Sequence, residues 1–99
     1  MSTDEELIQA ATGGDFMRVV DALQRGASVL AGDENNSTAL WLAAQFGHVQ
    51  IVDLLLAHGA DPYQESEFRH TPLTISSAYG KTEVVKRLLA AGSGVDHTT

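Results

Sequence analysis

The four histidines are the side chains of this chain best suited to proton transfer or metal binding at neutral pH. Their spacing favours neither. None of His48, His58, His70 and His97 stands at ligand spacing from a second histidine, and none is set beside a carboxylate as a catalytic pair requires. A metal or small-molecule role for His70 together with Glu65 and Glu67 is the one such grouping on a single turn, and it is the weaker reading. Gly26 to Gly32 superficially has the look of a phosphate loop, but the Lys-Ser/Thr ending and the start of a following helix are missing. Asn35 and Asn36 each open an Asn-Xaa-Ser/Thr triplet and Thr71-Pro72 fits a minimal phosphorylation site; turn formation and helix initiation explain these residues better. With no cysteine, thiol catalysis, disulfides and thiolate metal sites drop out together. The expectation is a protein that is not an enzyme, with no catalytic residues, no cofactor and no metal.

The charge distribution points to a different kind of chemistry. Thirteen Asp and Glu against six Lys and Arg give a net charge of −7, which repels phosphate backbones and anionic lipid surfaces. Nucleic acid and membrane are therefore not expected partners. No Lys or Arg falls in the 43 positions between Arg25 and Arg69, whereas Asp33, Glu34, Asp53, Asp61, Glu65 and Glu67 all do. Such a stretch either keeps the surface solvated or steers a basic partner. The longest apolar run, Leu54 to Ala57, is far too short to span a bilayer, and the acidic N-terminus has no signal-peptide character. The expected setting is the cytoplasm, with the nucleus left open.

Laid over itself at an offset of 33, the chain repeats. Gly14, Gly47 and Gly80 coincide, as do Gly26, Gly59 and Gly92. Between residues 33–63 and 66–96, nine of 31 aligned pairs are identical, where unrelated segments would give roughly two. Each unit reads as two short helices. Thr38 and Thr71 are expected N-caps, and Pro72 suits a first helical position because its missing N–H has no partner there anyway. The glycines at 47 and 80 suit the left-handed residue that closes a first helix. A second helix is predicted over about 49–58, with Ile51, Val52, Leu55 and Leu56 on one face, and Val84, Val85, Leu88 and Leu89 repeat that face. Helices of this length are marginal alone, so each pair must lean on its neighbour. At the N-terminus, Ser2 with Glu5 or Thr3 with Glu6 can form a capping box.

The segment from Asn36 to Asp61, with Thr38, Leu40, Ala43-Ala44, Gly47-His48, Ile51-Val52, Leu55-Leu56 and Gly59-Ala60-Asp61 in place, resembles the ankyrin repeat. The resemblance covers nearly the whole chain. It implies an all-α repeat fold, an ankyrin-type solenoid of helix-turn-helix units with two projecting β-hairpin fingers at about 27–38 and 60–71. It also implies one domain over residues 1–99, with units at about 2–26, 33–59 and 66–92 and a tail at 93–99. Departures matter. Asn36 and Arg69 replace the turn glycine, and arginine tolerates a left-handed backbone poorly, so the second turn is expected to differ in shape. Trp41 and Thr74 replace the histidine, and Trp41 is expected to lie half-buried against a finger base. The first unit looks like an N-terminal cap. At the other end two readings stay open: Thr82 and Arg87 make a polar closing helix, whereas Gly92-Ser93-Gly94-Val95-Asp96 opens like another finger.

What the resemblance implies about function is a surface that binds another protein through finger tips and the concave face of the first helices. The matching finger residues are Glu34, Asn35, Ser37, Glu65, Glu67, Phe68 and His70; on the first helices they are Thr12, Gln45, Phe46, Ala78 and Tyr79. The partner expected is a protein with a basic and apolar patch, met by a monomer. Phe46 and Tyr79 share a repeat position and either face the partner or pack on each other, while Phe16 and Tyr63 are expected in the core or at a finger base. The competing reading is structural: a fragment of a longer array, or a unit that associates with itself.

Overall fold

The computed structural model describes residues 2–91, and the elements below belong to that span. Six helices follow one another as α1 (Thr3–Gly13), α2 (Phe16–Gln24), α3 (Ala39–Phe46), α4 (Val49–Ala57), α5 (Pro72–Ala78) and α6 (Thr82–Ala90). They form three helix pairs stacked side by side, α3 packing between α1 and α5, and α4 between α2 and α6. Gly92, the tail and His97 lie outside the described residues.

Local chemistry starts and stops these helices. At α1 the capping box is the Ser2–Glu5 one: Glu5 N donates to Ser2 Oγ at 3.1 Å and Ser2 N donates to Glu5 Oε1 at 3.0 Å. The hydroxyls of Thr38 and Thr71 accept from Trp41 N and Thr74 N, each at 3.2 Å, so both threonines are N-caps as the sequence predicts. Gly14, Gly47 and Gly80 close the first-helix turns with φ of 77°, 77° and 70°. Between the pairs lies an apolar core of Leu7, Val19, Leu40, Ile51, Val52, Leu55, Val84 and Leu88, packed through small-residue contacts at Ala11, Ala43 and Ala44.

The connectors are simpler than expected. Among the described residues no β-strand forms; the first finger holds one isolated antiparallel bridge, Gly32 to Thr38. Each finger closes on the same two backbone bonds: Asp33 N to Ser37 O and Asn36 N to Asp33 O in the first, Ser66 N to His70 O and Arg69 N to Ser66 O in the second, at 2.8–3.0 Å. A five-residue turn leaves no length for a ladder. The expectation of two differently shaped turns is also corrected, because Asn36 and Arg69 are both left-handed, with φ of 58° and 66°. Arginine is held there by the same hydrogen bonds that hold asparagine, so the frame outweighs the residue's own preference.

Candidate functional site

The two fingers are laced together at their tips. Glu67 N donates to Asn35 O at 2.7 Å, and Asn36 Nδ2 donates to Glu65 O at 3.2 Å. Side chains stiffen each finger from within: Asp33 Oδ1 accepts from Asn35 N and Ser37 N, and Ser66 Oγ accepts from Phe68 N. Behind the second finger, the indole of Trp41 donates Nε1–H to His70 O at 2.7 Å and lies 6.2 Å from the ring of Phe68. Trp41 is only 4% exposed, more buried than the half-buried placement expected of it. That one carbonyl therefore joins the finger to α3 as well as closing its own turn.

The predicted finger residues separate into those offered to solvent and those used inside. Glu34, Glu65, Glu67 and Phe68 are exposed, Asn35 and His70 are half-buried, and Ser37 is fully buried. Ser37 therefore serves the turn and does not face a partner. The carboxylates of Glu34, Glu65 and Glu67 take part in none of the ion pairs among the described residues, which instead join Arg25 to Glu6 and Asp21, and Arg87 to Asp53 and Glu83. On the first helices, Phe46, Ala78 and Tyr79 are exposed, and Gln45 and Thr12 half-buried. Phe46 and Tyr79 do not pair with each other; the Phe46 ring sits 6.4 Å from the ring of His48. Phe46 ends α3 and Tyr79 caps α5, whereas the fingers enter those helices at Thr38 and Thr71. The candidate residues thus form two groups, separated by the length of a first helix, roughly 12 Å for eight residues.

Between the first finger and α1 lies a groove that the candidate residues largely miss. Its volume is about 1070 Å³, and Ile8, Leu42 and Ala31 give it an apolar floor while Asp4, Glu5, Asp33 and Glu34 rim it. Only Glu34 and Thr12 were candidates among its lining residues. Glu5 reads in the sequence as a helix-start residue and acts so, closing the capping box, whereas Asp4 Oδ1 reaches the first finger's base and accepts from Ser28 N at 2.8 Å. Their second role needs the finger to fold over them. Phe16 is a further correction: it is 37% exposed and lines a shallow outer depression with Gln50, Asp53 and Leu54, because α2 has no first-helix neighbour on that side. Tyr63 is likewise exposed, at 42%.

His48 belongs to the frame. Its Nε2–H donates to Thr12 O at 3.1 Å, across from the second unit to the first. Among the described residues no three His, Asp or Glu side chains converge as a metal site would require.

Three helix pairs, left-handed turn glycines and first helices capped by Ser2, Thr38 and Thr71 describe a repeat architecture, and residues 7–99 match the family of ankyrin repeats as three copies. The chain belongs to the ankyrin repeat family. Within it, this chain is 43% identical over 65 residues to 2-5A-dependent ribonuclease of Mus musculus, covering 65% of this chain and 9% of that protein. It is 42% identical over 57 residues to ankyrin repeat and KH domain-containing protein mask-1 of Caenorhabditis elegans, 57% of this chain and 2% of that protein. It is also 33% identical over 58 residues to human diacylglycerol kinase iota, 59% of this chain and 6% of that protein. The chain thus spans a small fraction of each of these relatives. Two of them carry enzyme names, but the ankyrin repeat domain is typically non-catalytic and is generally a protein–protein interaction module. No helix among the described residues is long and apolar enough to cross a membrane.

Proposed function

We propose that residues 1–99 form one non-catalytic ankyrin module that binds a partner protein along its finger ridge and the adjoining concave groove, as a monomer inside the cell. The observation that carries this reading is the ridge itself: Glu34, Glu65 and Glu67 are exposed and outside every ion pair of the described residues, on two fingers held in register by hydrogen bonds between their tips. A rigid array of unpaired carboxylates next to an exposed Phe68 suits a protein surface with basic and apolar residues. The groove beside it extends the same chemistry, an apolar floor under an acidic rim. Occupying that partner's surface would inhibit, recruit or tether it. Phe46 and Tyr79, exposed at 46% and 55%, form a second contact group at the far end of the first helices, where buried aromatic anchors supply most interface energy.

The test is a capture experiment with the intact chain, Glu34→Gln/Glu65→Gln/Glu67→Gln and Phe46→Ala/Tyr79→Ala side by side, followed by association kinetics on the partner recovered. The glutamine variant is expected to lose most of the on-rate at low salt, and the intact chain to show an on-rate that falls steeply between low and high salt. A salt-independent on-rate, or full binding by the glutamine variant, would remove the ridge from the interface. Full binding by the aromatic variant would confine the contact to the ridge and groove.

A further inference from the structure

Position by position, the third helix pair repeats the second with its far side left open. Leu7, Ala11 and Val19 of the first unit and Leu40, Ala44 and Val52 of the second are fully buried, each set beneath the following helix pair. The corresponding Leu73 and Val85 are half-buried and Ser77 is exposed. Leu89, which follows the half-buried Leu23 and Leu56, is 44% exposed. With Thr74 and Ala78 these residues line a groove of about 520 Å³.

The turn glycines show the same opening independently. A Cβ built on Gly14 would lie 2.7 Å from the ring of His48, and one on Gly47 would lie 2.9 Å from Lys81 Cδ, so each glycine receives the side chain that precedes the second helix of the next unit. A Cβ on Gly80 would meet nothing within 4 Å. Charge marks the same face a third time. Asp53 pairs with Arg87 of the following unit, and Lys86 stands at the repeat position of Asp53.

We propose that the face formed by Leu73, Ser77, Gly80, Val85, Lys86 and Leu89 is a seat for a further helix pair of this same repeat kind, bearing a carboxylate at the repeat position of Arg87 and a Lys or His at that of Lys81. The occupant is not the first unit of a second copy. There, Arg18 and Glu6 stand at the repeat positions of the buried Val84 and Pro72, and they would be driven into the open apolar groove. The inference is independent of the partner-binding reading, which uses the fingers and the concave side.

The 33-residue register supplies the probe: residue 99 corresponds to residue 66, so the full chain followed directly by a second copy of residues 67–91 continues the repeat in phase. Two forms are compared by urea unfolding, the appended copy carrying Arg at the position of Arg87 or Arg87→Glu. The expected result is one cooperative transition, with a steeper slope and a midpoint raised by at least about 0.5 M over the 99-residue chain, the Glu form above the Arg form. Val85→Glu/Leu89→Glu in the third unit of the extended chain should erase the gain, while the same pair in the 99-residue chain shifts the midpoint little. A separate, earlier transition for the appended pair in both forms would overturn the seat, as would an unchanged midpoint or a gain that survives the double substitution. Equal midpoints for the Glu and Arg forms would overturn the charge pairing at Lys86.

Discussion

The two ends of the stack present opposite chemistry on their outward layers. At the first end the outward positions hold Glu6, Arg18, Asp21 and Arg25, and Arg25 ties Glu6 to Asp21. The hydrogen bond that Arg25 donates to Glu6, helped by the charge of Asp21, raises the guanidinium further above its ordinary value. At the last end the outward layer, built from different repeat positions, presents Leu73, Val85 and Leu89. A polar layer satisfies itself with ion pairs and water, whereas an apolar layer is satisfied only by another apolar surface. The contrast teaches that in a repeat stack an interface is written on both sides, and here one side is written without its counterpart.

Three experiments can break this contrast. The largest effect is expected from truncating one repeat position in two units. Leu40→Ala, beneath the third pair, should cost about 2–5 kcal/mol, and Leu73→Ala, on the open face, clearly less, both read by urea unfolding. Similar losses would mean that the open face is covered. Next come the turn glycines. Gly47→Ala and Gly80→Ala both force a left-handed alanine, at about 1–2 kcal/mol, but only Gly47→Ala also displaces Lys81, so it should be the more damaging. Adding Lys81→Ala should bring the two to parity; a persisting gap would place the extra cost elsewhere. The smallest effect belongs to the exposed pair joining the second and third units. Arg87→Ala should lower stability by no more than about 1 kcal/mol at low salt and by nothing measurable at 1 M salt, since both partners are solvated.

Much of the frame was legible because it depends on local pattern. Thr38, Thr71 and Pro72 begin helices, and the glycines at 14, 47 and 80 end them, through bonds made within a few residues. Both finger turns were located, yet the shape of the second was misjudged. Arg69 has a poor intrinsic preference for φ near 66°, and only the bonds from Ser66 N to His70 O and from Arg69 N to Ser66 O show why it is tolerated. The groove was missed for a related reason. Glu5 satisfies a helix start, and neither it nor Asp4 carries a mark of a role in the groove until the first finger lies across them. Ser37 is buried because its backbone N–H and C=O close the turn with Asp33, and polarity alone does not say which serine of a finger faces inward. Phe16 was expected in the core or at a finger base on hydrophobicity, but it lies on the outer side of α2, where a shallow depression shared with Gln50, Asp53 and Leu54 of α4 leaves it open to solvent.

The hydrogen bond between Trp41 and the carbonyl of His70 makes the molecule its own optical reporter. Trp41 is the single tryptophan, its indole N–H is held by the second finger and its ring lies against Phe68. Its emission is therefore tied to whether that finger is seated, and anything that lifts or clamps the finger would change the colour and intensity of the protein's intrinsic fluorescence without any label attached.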